Sequence, residues 1–252
     1  MRRFADTRNR RDEIRRVVGI VMDITADIAQ RFAQVCEQVA DAARRCGRQP
    51  EEITIVCAAK TKGAEYVRAA LAAGATDIGE NYVQEALDKK AQVAEPVRWH
   101  LIGHLQRNKV KTALPLFSLI HSLDTIRLAQ ELQRQAEKQG IVVPTLLEVN
   151  LGQETTKSGL AKDDIGPVLE RVAMLPNVRV EGLMTIPPPA ETIQASRPYF
   201  QELARLRTEY ATMNGTNIEL RELSMGMTND YPIAIEEGAT LVRIGRAIFG
   251  ER

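Results

Sequence analysis

Ile53-Thr54-Ile55-Val56-Cys57-Ala58-Ala59-Lys60-Thr61-Lys62-Gly63 is the stretch on which the reading of this chain turns. Up to Ala59 it is apolar or β-branched, the composition of a strand buried on both faces. It ends on a lysine, and a helical pattern from Ala64 to Ala73 follows and stops at Gly74. As the first strand of a (β/α)8 barrel, it places Lys60 at the carboxyl end, where such barrels build their active sites. A lysine amine shielded from water there can lose its proton and form a Schiff base with an aldehyde. A solvated lysine at a strand end is the plainer alternative.

Working outward, strand-like and helix-like segments alternate. The strand candidates are 53–60, 76–79, 98–102, 118–122, 145–150, 179–184, 219–224 and 240–244. Helices are expected near 64–73, 82–94, 107–115, 125–138, 163–174, 198–213 and 231–238. In the sixth of these, Ser196 is placed to cap, Pro198 suits the first turn, and Phe200, Leu203, Leu206 and Tyr210 share a face. Eight such alternations with short connections predict a closed parallel α/β barrel of the TIM type. An open doubly wound sheet is the alternative, but no Gly-x-Gly-x-x-Gly follows the first strand. Ile28, Phe32, Val35, Val39 and Ala42 line one face of an extra helix over 25–45, ending near Gly47. With no full helix after the eighth strand, that helix is expected to cover the barrel wall there.

The chain has 252 residues, a size that suits one barrel. No apolar run approaches the length needed to span a bilayer. Cys36, Cys46 and Cys57 are odd in number and lack metal spacing, so they read as free thiols in a reducing, cytoplasmic setting. Net charge is +1, but residues 1–20 carry seven arginines against Asp6, Asp12 and Glu13. A basic arm can bind nucleic acid or an anionic surface, and Asp12 and Glu13 argue against a transit peptide. The reading adopted is a disordered extension over 1–22, or sequence upstream of a later natural start, followed by a barrel domain over 23–252. Neither nucleic acid nor membrane is expected as a partner, and a monomer is expected.

Four segments at expected carboxyl ends of strands carry candidate chemistry, and Lys60 is the first. Gly79-Glu80-Asn81-Tyr82 allows close backbone approach and offers an amide, although Asn81 could instead cap the next helix. Leu223-Ser224-Met225-Gly226-Met227-Thr228-Asn229-Asp230 can present hydroxyls and N–H groups to an anion, or be an ordinary loop in which Asp230 caps a helix. Val242-Arg243-Ile244-Gly245-Arg246 completes the phosphate region usual after strands seven and eight. Arg243 lies in an apolar strand and needs a partner, either a buried carboxylate or a ring nitrogen. A fifth cluster, Trp99-His100-Leu101-Ile102-Gly103-His104, yields no Ser/His/Asp or metal arrangement, and His100 reads as a satisfied core residue. An amine, an amide, a phosphate cradle and a buried arginine together describe a ligand with an aldehyde, a heteroaromatic ring and a phosphate. That ligand is pyridoxal 5′-phosphate.

The motifs Ala59-Lys60-Thr61-Lys62, Gly79-Glu80-Asn81-Tyr82-Val83-Gln84-Glu85, Trp99-His100-Leu101-Ile102-Gly103-His104-Leu105-Gln106, Lys157-Ser158-Gly159, Gly182-Leu183-Met184-Thr185-Ile186-Pro187, Leu223 to Asp230 and Val242 to Gly250 run in order along the chain. In this the chain resembles the YggS/PROSC-like pyridoxal phosphate homeostasis proteins. The resemblance implies a barrel like the N-terminal domain of alanine racemase, with the cofactor in Schiff-base linkage to Lys60. It implies that Asn81 lies near the ring, that Arg243 faces the pyridine nitrogen, and that Ser224, Gly226, Met227, Thr228 and Gly245 surround the phosphate. Met184 joins the cofactor-binding set; no catalytic residue and no metal ligand is assigned. Some family members carry threonine where this chain has Arg246, a change that spares the backbone N–H but not a hydroxyl contact. The function implied is a carrier and buffer of pyridoxal phosphate, without turnover, which could pass the cofactor to apo enzymes. A racemase or lyase of amino acids using Lys60 as base is the alternative.

Overall fold

The computed structural model describes residues 2–154, 157–189 and 192–251, with side chains from Ile24 onward. Its strands are β1 (Thr54–Ala58), β2 (Asp77–Glu80), β3 (Arg98–Leu101), β4 (Leu119–Leu123), β5 (Val143–Glu148), β6 (Val178–Met184), β7 (Ile218–Met227) and β8 (Leu241–Ile244). They close in sequence order into a barrel. Every pairing is parallel, and β1 meets β8 in the register Val56↔Arg243. Parallel neighbours need a crossover, and these crossovers supply the helices. They are α2 (Ala64–Ala72), α3 (Val83–Lys90), α4 (Val110–Ala113), α5 (Ile126–Gln139), α6 (Ile165–Val172), α7 (Arg197–Tyr210), α8 (Tyr231–Glu236) and α9 (Arg246–Phe249), preceded by α1 (Arg2–Arg45).

Local signals explain the helix ends. The Thr125 hydroxyl accepts the Leu128 N–H at 3.2 Å at the start of α5, and Gly140 ends that helix with φ +64°. Gly47 takes φ +76° just past α1. Ile28, Phe32, Val35, Val39 and Ala42 are all buried, and α1 packs on α2, α8 and α9. The helix therefore closes the wall beside β8, as the element count required. The expected disordered arm over 1–22 falls where side chains lie outside the described residues, although α1 is continuous from Arg2.

Several expected boundaries are corrected. Ser196 makes no capping bond, because the chain enters α7 through a 3-10 turn, Ile193–Ser196, that already holds it in helical backbone. The helix expected over 107–115 is a 3-10 turn, Arg107–Lys109, followed by the single-turn α4. β5 stops at Glu148 because the Asn150 side chain is bonded to both N–H and C=O of Glu154, folding the chain into a loop. β7 continues three residues beyond Ser224, so Gly226 and Met227 belong to the strand.

Two apolar layers result. Val56, Ile102, Leu119, Leu146, Met184 and Leu241 fill the barrel interior. A larger cluster, including Ile78, Leu101, Leu123, Leu147, Leu183 and Phe200, seals strands to helices. Cys57 is fully buried in that outer layer and burial pushes its thiol up, so it behaves as an inert small hydrophobe.

Candidate functional site

The chain leaves β1 through a turn, with Lys62 N–H bonded to Ala59 O at 3.1 Å. Thr61 lies at φ +65°, a conformation that a β-branched residue rarely adopts. The strain is held by α3. Glu85 Oε2 accepts the Thr61 N–H at 3.1 Å, and Lys89 Nζ donates to Ala59 O at 2.8 Å and to Glu80 Oε1 at 2.7 Å. Residues on both sides of Lys60 are thus fixed from behind the strand. The neighbouring cation, Lys62, reaches Glu251 O at 2.7 Å and lies over the Tyr66 ring.

Lys60 opens onto a cavity of ≈ 910 Å³ at the carboxyl end of the barrel. Asn81, Met227, Thr228, Arg243 and Gly245 line the same cavity, together with Lys62, Lys157, Ile186, Asp230 and Arg246. That volume lies in the range of small-molecule sites. Asn81 does not cap α3: Tyr82 occupies the N-cap position, without a side-chain capping bond, and Asn81 lines the cavity. Lys60, Lys62, Lys157, Arg243 and Arg246 outnumber Asp230 and Glu251, so the wall favours an anion.

The other expected residues, Met184, Ser224 and Gly226, lie behind this surface. Met184 is fully buried in the interior layer. Ser224 is also fully buried and takes a 2.6 Å bond from Arg243 Nη1. Gly226, at φ +89°, passes so close to α8 that a Cβ there would lie 2.5 Å from Ala234 Cβ. Its glycine is required by backbone geometry and by that approach. At Gly245 a Cβ would meet Ala58 O at 3.0 Å, so the start of α9 lies tight against β1. Arg246 links the two loops by donating to Asn229 Oδ1 at 3.2 Å. The Met227 N–H is taken by Asp230 Oδ1 at 2.7 Å, which withdraws one donor from any phosphate and gives Asp230 a role inside the loop rather than at α8.

Arg243 is the central surprise. It is 4% exposed and forms no ion pair among the described residues. Its bonds go to two neutral oxygens, Ser224 Oγ and Thr185 O, the latter at 2.9 Å. Burial pushes its guanidinium down to about 10, with Glu148 and Asp230 opposing, so it remains a cation at neutral pH. Behind it lies a continuous polar file. Ser224 Oγ is 2.8 Å from His121 Nδ1, His121 Nε2 is 3.0 Å from His100 Nδ1, and His100 Nε2 is 2.7 Å from Asp77 Oδ1. His100 is a satisfied core histidine, as its position in an apolar strand suggested. His121, Asp77 and Thr185 were not singled out from sequence; a polar residue in a strand was the available signal for His121 and Asp77, while Thr185, just past β6, acts through its backbone carbonyl.

Across the mouth stands a different set. His104 Nδ1 is 3.1 Å from Asp124 Oδ2 and 3.2 Å from Ser158 Oγ. Both contacts use one ring nitrogen, so this is not a nucleophile–base–acid relay, which needs both. Glu148 is pushed up to about 7 by burial and by Asp124, against Arg243 and His104. No cluster of metal-ligating side chains occurs among the described residues. No helix among them is long and apolar enough to cross a membrane.

Comparison with known proteins gives the family and the fold. Residues 31–252 match the family described as alanine racemase, N-terminal domain. The pyridoxal phosphate homeostasis protein of Aquifex aeolicus is 44% identical over 224 residues, covering 88% of this chain and 97% of that protein. Its counterpart in Pseudomonas aeruginosa is 42% identical over 226 residues, covering 89% and 96%. PipY of Synechococcus elongatus, solved with PLP bound, is 34% identical with a TM-score of 0.78, covering 88% of this chain and 100% of PipY. Alanine racemase from Bartonella henselae shares the fold at 14% identity and a TM-score of 0.66, covering 90% of this chain and 61% of the racemase. The closed barrel, its lysine-bearing cavity and these relatives lead to one assignment: the chain belongs to the pyridoxal phosphate homeostasis protein family, built on the alanine racemase N-terminal domain fold.

Proposed function

We propose that this protein binds pyridoxal 5′-phosphate covalently at Lys60 and acts as an intracellular carrier and buffer of the cofactor, releasing it to apo enzymes. The observation that carries the reading is the convergence of Lys60, Asn81, Thr228, Arg243 and Gly245 on one basic cavity. When bound, the cofactor supplies an aldehyde that an amine captures reversibly and a conjugated ring that can accept electrons. The residues fit such a group. Lys60 offers the amine from a clamped turn. Arg243, a cation with no acceptor atoms, can only donate, so it favours a ring nitrogen that stays unprotonated. That choice weakens the ring as an electron sink and suits storage over turnover. Thr228 and the N–H groups at the start of α9, which the four-residue helix does not use internally, suit a phosphate.

The test is absorbance and mass spectrometry of the purified protein. A visible band that borohydride bleaches, with the reduced adduct on Lys60 and none in Lys60→Ala, is expected. An adduct mainly on Lys62 would overturn the assignment.

One observation favours an amino-acid racemase or lyase instead. Glu148, at the end of β5 and outside the cavity lining, is pushed up to about 7 by burial and Asp124, so its carboxyl can gain or lose a proton near neutral pH. Exchange of the α-proton of an amino acid for deuterium, lost in Lys60→Ala and in Glu148→Gln, would establish that reading. No exchange over many hours leaves the carrier.

A further inference from the structure

The barrel interior normally holds apolar layers. Here a file of polar groups runs through it from Asp77, at the start of β2, to Arg243 at the cavity. Asp77 is itself tied to Arg98, whose side chain is 62% exposed, at 2.7 Å. The file therefore joins the outer surface at the amino-terminal end of the barrel to the cavity at the other.

The direction of its hydrogens follows from its two ends. Arg243 can only donate, so Ser224 Oγ accepts from it. The Ser224 hydroxyl hydrogen then has His121 Nδ1, 2.8 Å away, as its acceptor. That leaves the hydrogen of His121 on Nε2, facing His100 Nδ1, and the hydrogen of His100 on Nε2, facing the Asp77 carboxylate. Every hydrogen has one acceptor, both rings are neutral, and the negative end is Asp77. The reverse order would aim two donors at Ser224 Oγ, strand its own hydrogen, and leave His100 either doubly protonated or with no hydrogen to give the Asp77 carboxylate. Burial, with the Arg243 cation adding to it, holds His121 well below the ordinary histidine range, in keeping with a neutral ring.

We propose that Asp77 fixes this one-way chain through His100, His121 and Ser224, and so sets the orientation and donor strength with which Arg243 meets the ring of the bound cofactor. Hydrogen bonds in series polarise one another in a low dielectric, so a carboxylate at one end acts on a cation at the other without touching it. Asp77, His100 and His121 are thus positioning residues. The proposal rests on the reading of the cavity as a pyridoxal phosphate site, and on geometry that stands without it.

The first measurement uses the cofactor-free protein with 15N-labelled histidine, because ring nitrogen shifts report each tautomer directly. Both rings are expected to carry hydrogen on Nε2 alone. A hydrogen on His121 Nδ1, or a doubly protonated His100, overturns the chain. The second compares Asp77→Asn with wild type. Asp77 Oδ2 accepts from Arg98 at 2.7 Å and from Thr76 at 2.6 Å, so the amide oxygen must take that side and the NH2 must face His100. Both tautomers are then expected to reverse, the visible band of the loaded protein to move, and the cofactor Kd to rise about tenfold, by analogy with the low end of the loss seen when the partners behind metal ligands are removed. His121→Gln cuts the chain in the middle. It gives the same spectral and affinity change while His100 keeps its tautomer, and it serves if Asp77→Asn fails to fold. A folded variant with a wild-type band and Kd refutes the coupling to Arg243. Failure of the wild-type protein to take up cofactor refutes the reading of the cavity, and the tautomers, read without cofactor, still decide the chain.

Discussion

Asp77 and Glu80 are carboxylates on the same four-residue strand, both essentially buried, and their environments drive them in opposite directions. Asp77 faces the barrel interior. Burial pushes it up, but donors from His100, Arg98 and Thr76 outweigh that and hold it down to about 2. Glu80 points outward beneath α3. Burial pushes it up to about 7, and its one partner, Lys89, does not offset the loss of water. Its second oxygen, Oε2, has no hydrogen-bond partner. Burial alone does not set the charge of a carboxylate; the number of donors that meet it does. The two also serve different ends of the site. Asp77 heads the file that reaches Arg243 from inside, while Glu80 and Lys89 hold the turn that carries Lys60 from outside.

The sharpest way to break the comparison is to remove the one partner of Glu80. Lys89→Met is expected to cost about 3 kcal/mol or more at pH 8, the scale for stranding one member of a buried ion pair. The cost should shrink at pH 5, where Glu80 takes up a proton. Urea unfolding at the two pH values measures both, and an equal loss at each would show that Lys89 matters only as packing.

Next in size is the pH dependence. A carboxyl raised above its unfolded value binds a proton more tightly in the folded state. Glu80 therefore lowers stability as pH climbs from about 4.5 through about 7, by up to about 3 kcal/mol. Asp77 acts in the other sense: its contribution is whole above about 4 and is lost as pH falls through about 2. Glu80→Gln should flatten the decline between pH 5 and 7 and leave the acid limb in place. A decline that survives the substitution would assign it to another carboxyl, Glu148 first.

The smallest effect concerns the arginine-rich segment. We expect deletion of residues 1–21 to leave cofactor uptake unchanged and to shift Tm by no more than roughly 2–4 °C, equivalent to about 1 kcal/mol for a chain of this size. A much larger drop at matched cofactor occupancy would show that the arm packs on the fold.

The strand-end segments that carry Lys60, Asn81, Thr228, Arg243 and Gly245 were legible because position along a barrel strand converts directly into position at the mouth. Period, glycine and strand-end chemistry are local properties, and they were enough to name the fold and the cavity wall. Met184, Ser224 and Gly226 show where that logic stops, since the same strands carry them behind the surface.

Partnership between distant strands was not legible. Arg243 needed a partner, and the sequence offered a buried carboxylate or a ring nitrogen; the protein gives it Ser224 Oγ and Thr185 O. His121 and His100 meet edge-on, 5.2 Å between ring centroids, because barrel closure and register bring β3, β4 and β7 to one axis. Thr61 is the converse case. Nothing in its identity announces a positive φ, and the bonds from Glu85 and Lys89 on α3, with the Lys62 N–H to Ala59 O turn, hold that backbone. The sequence by itself determined which residues stand at the mouth, because that depends on period and strand ends. The tertiary structure alone decided which buried polar groups meet, because closing a barrel couples side chains through shear and register that no single strand encodes.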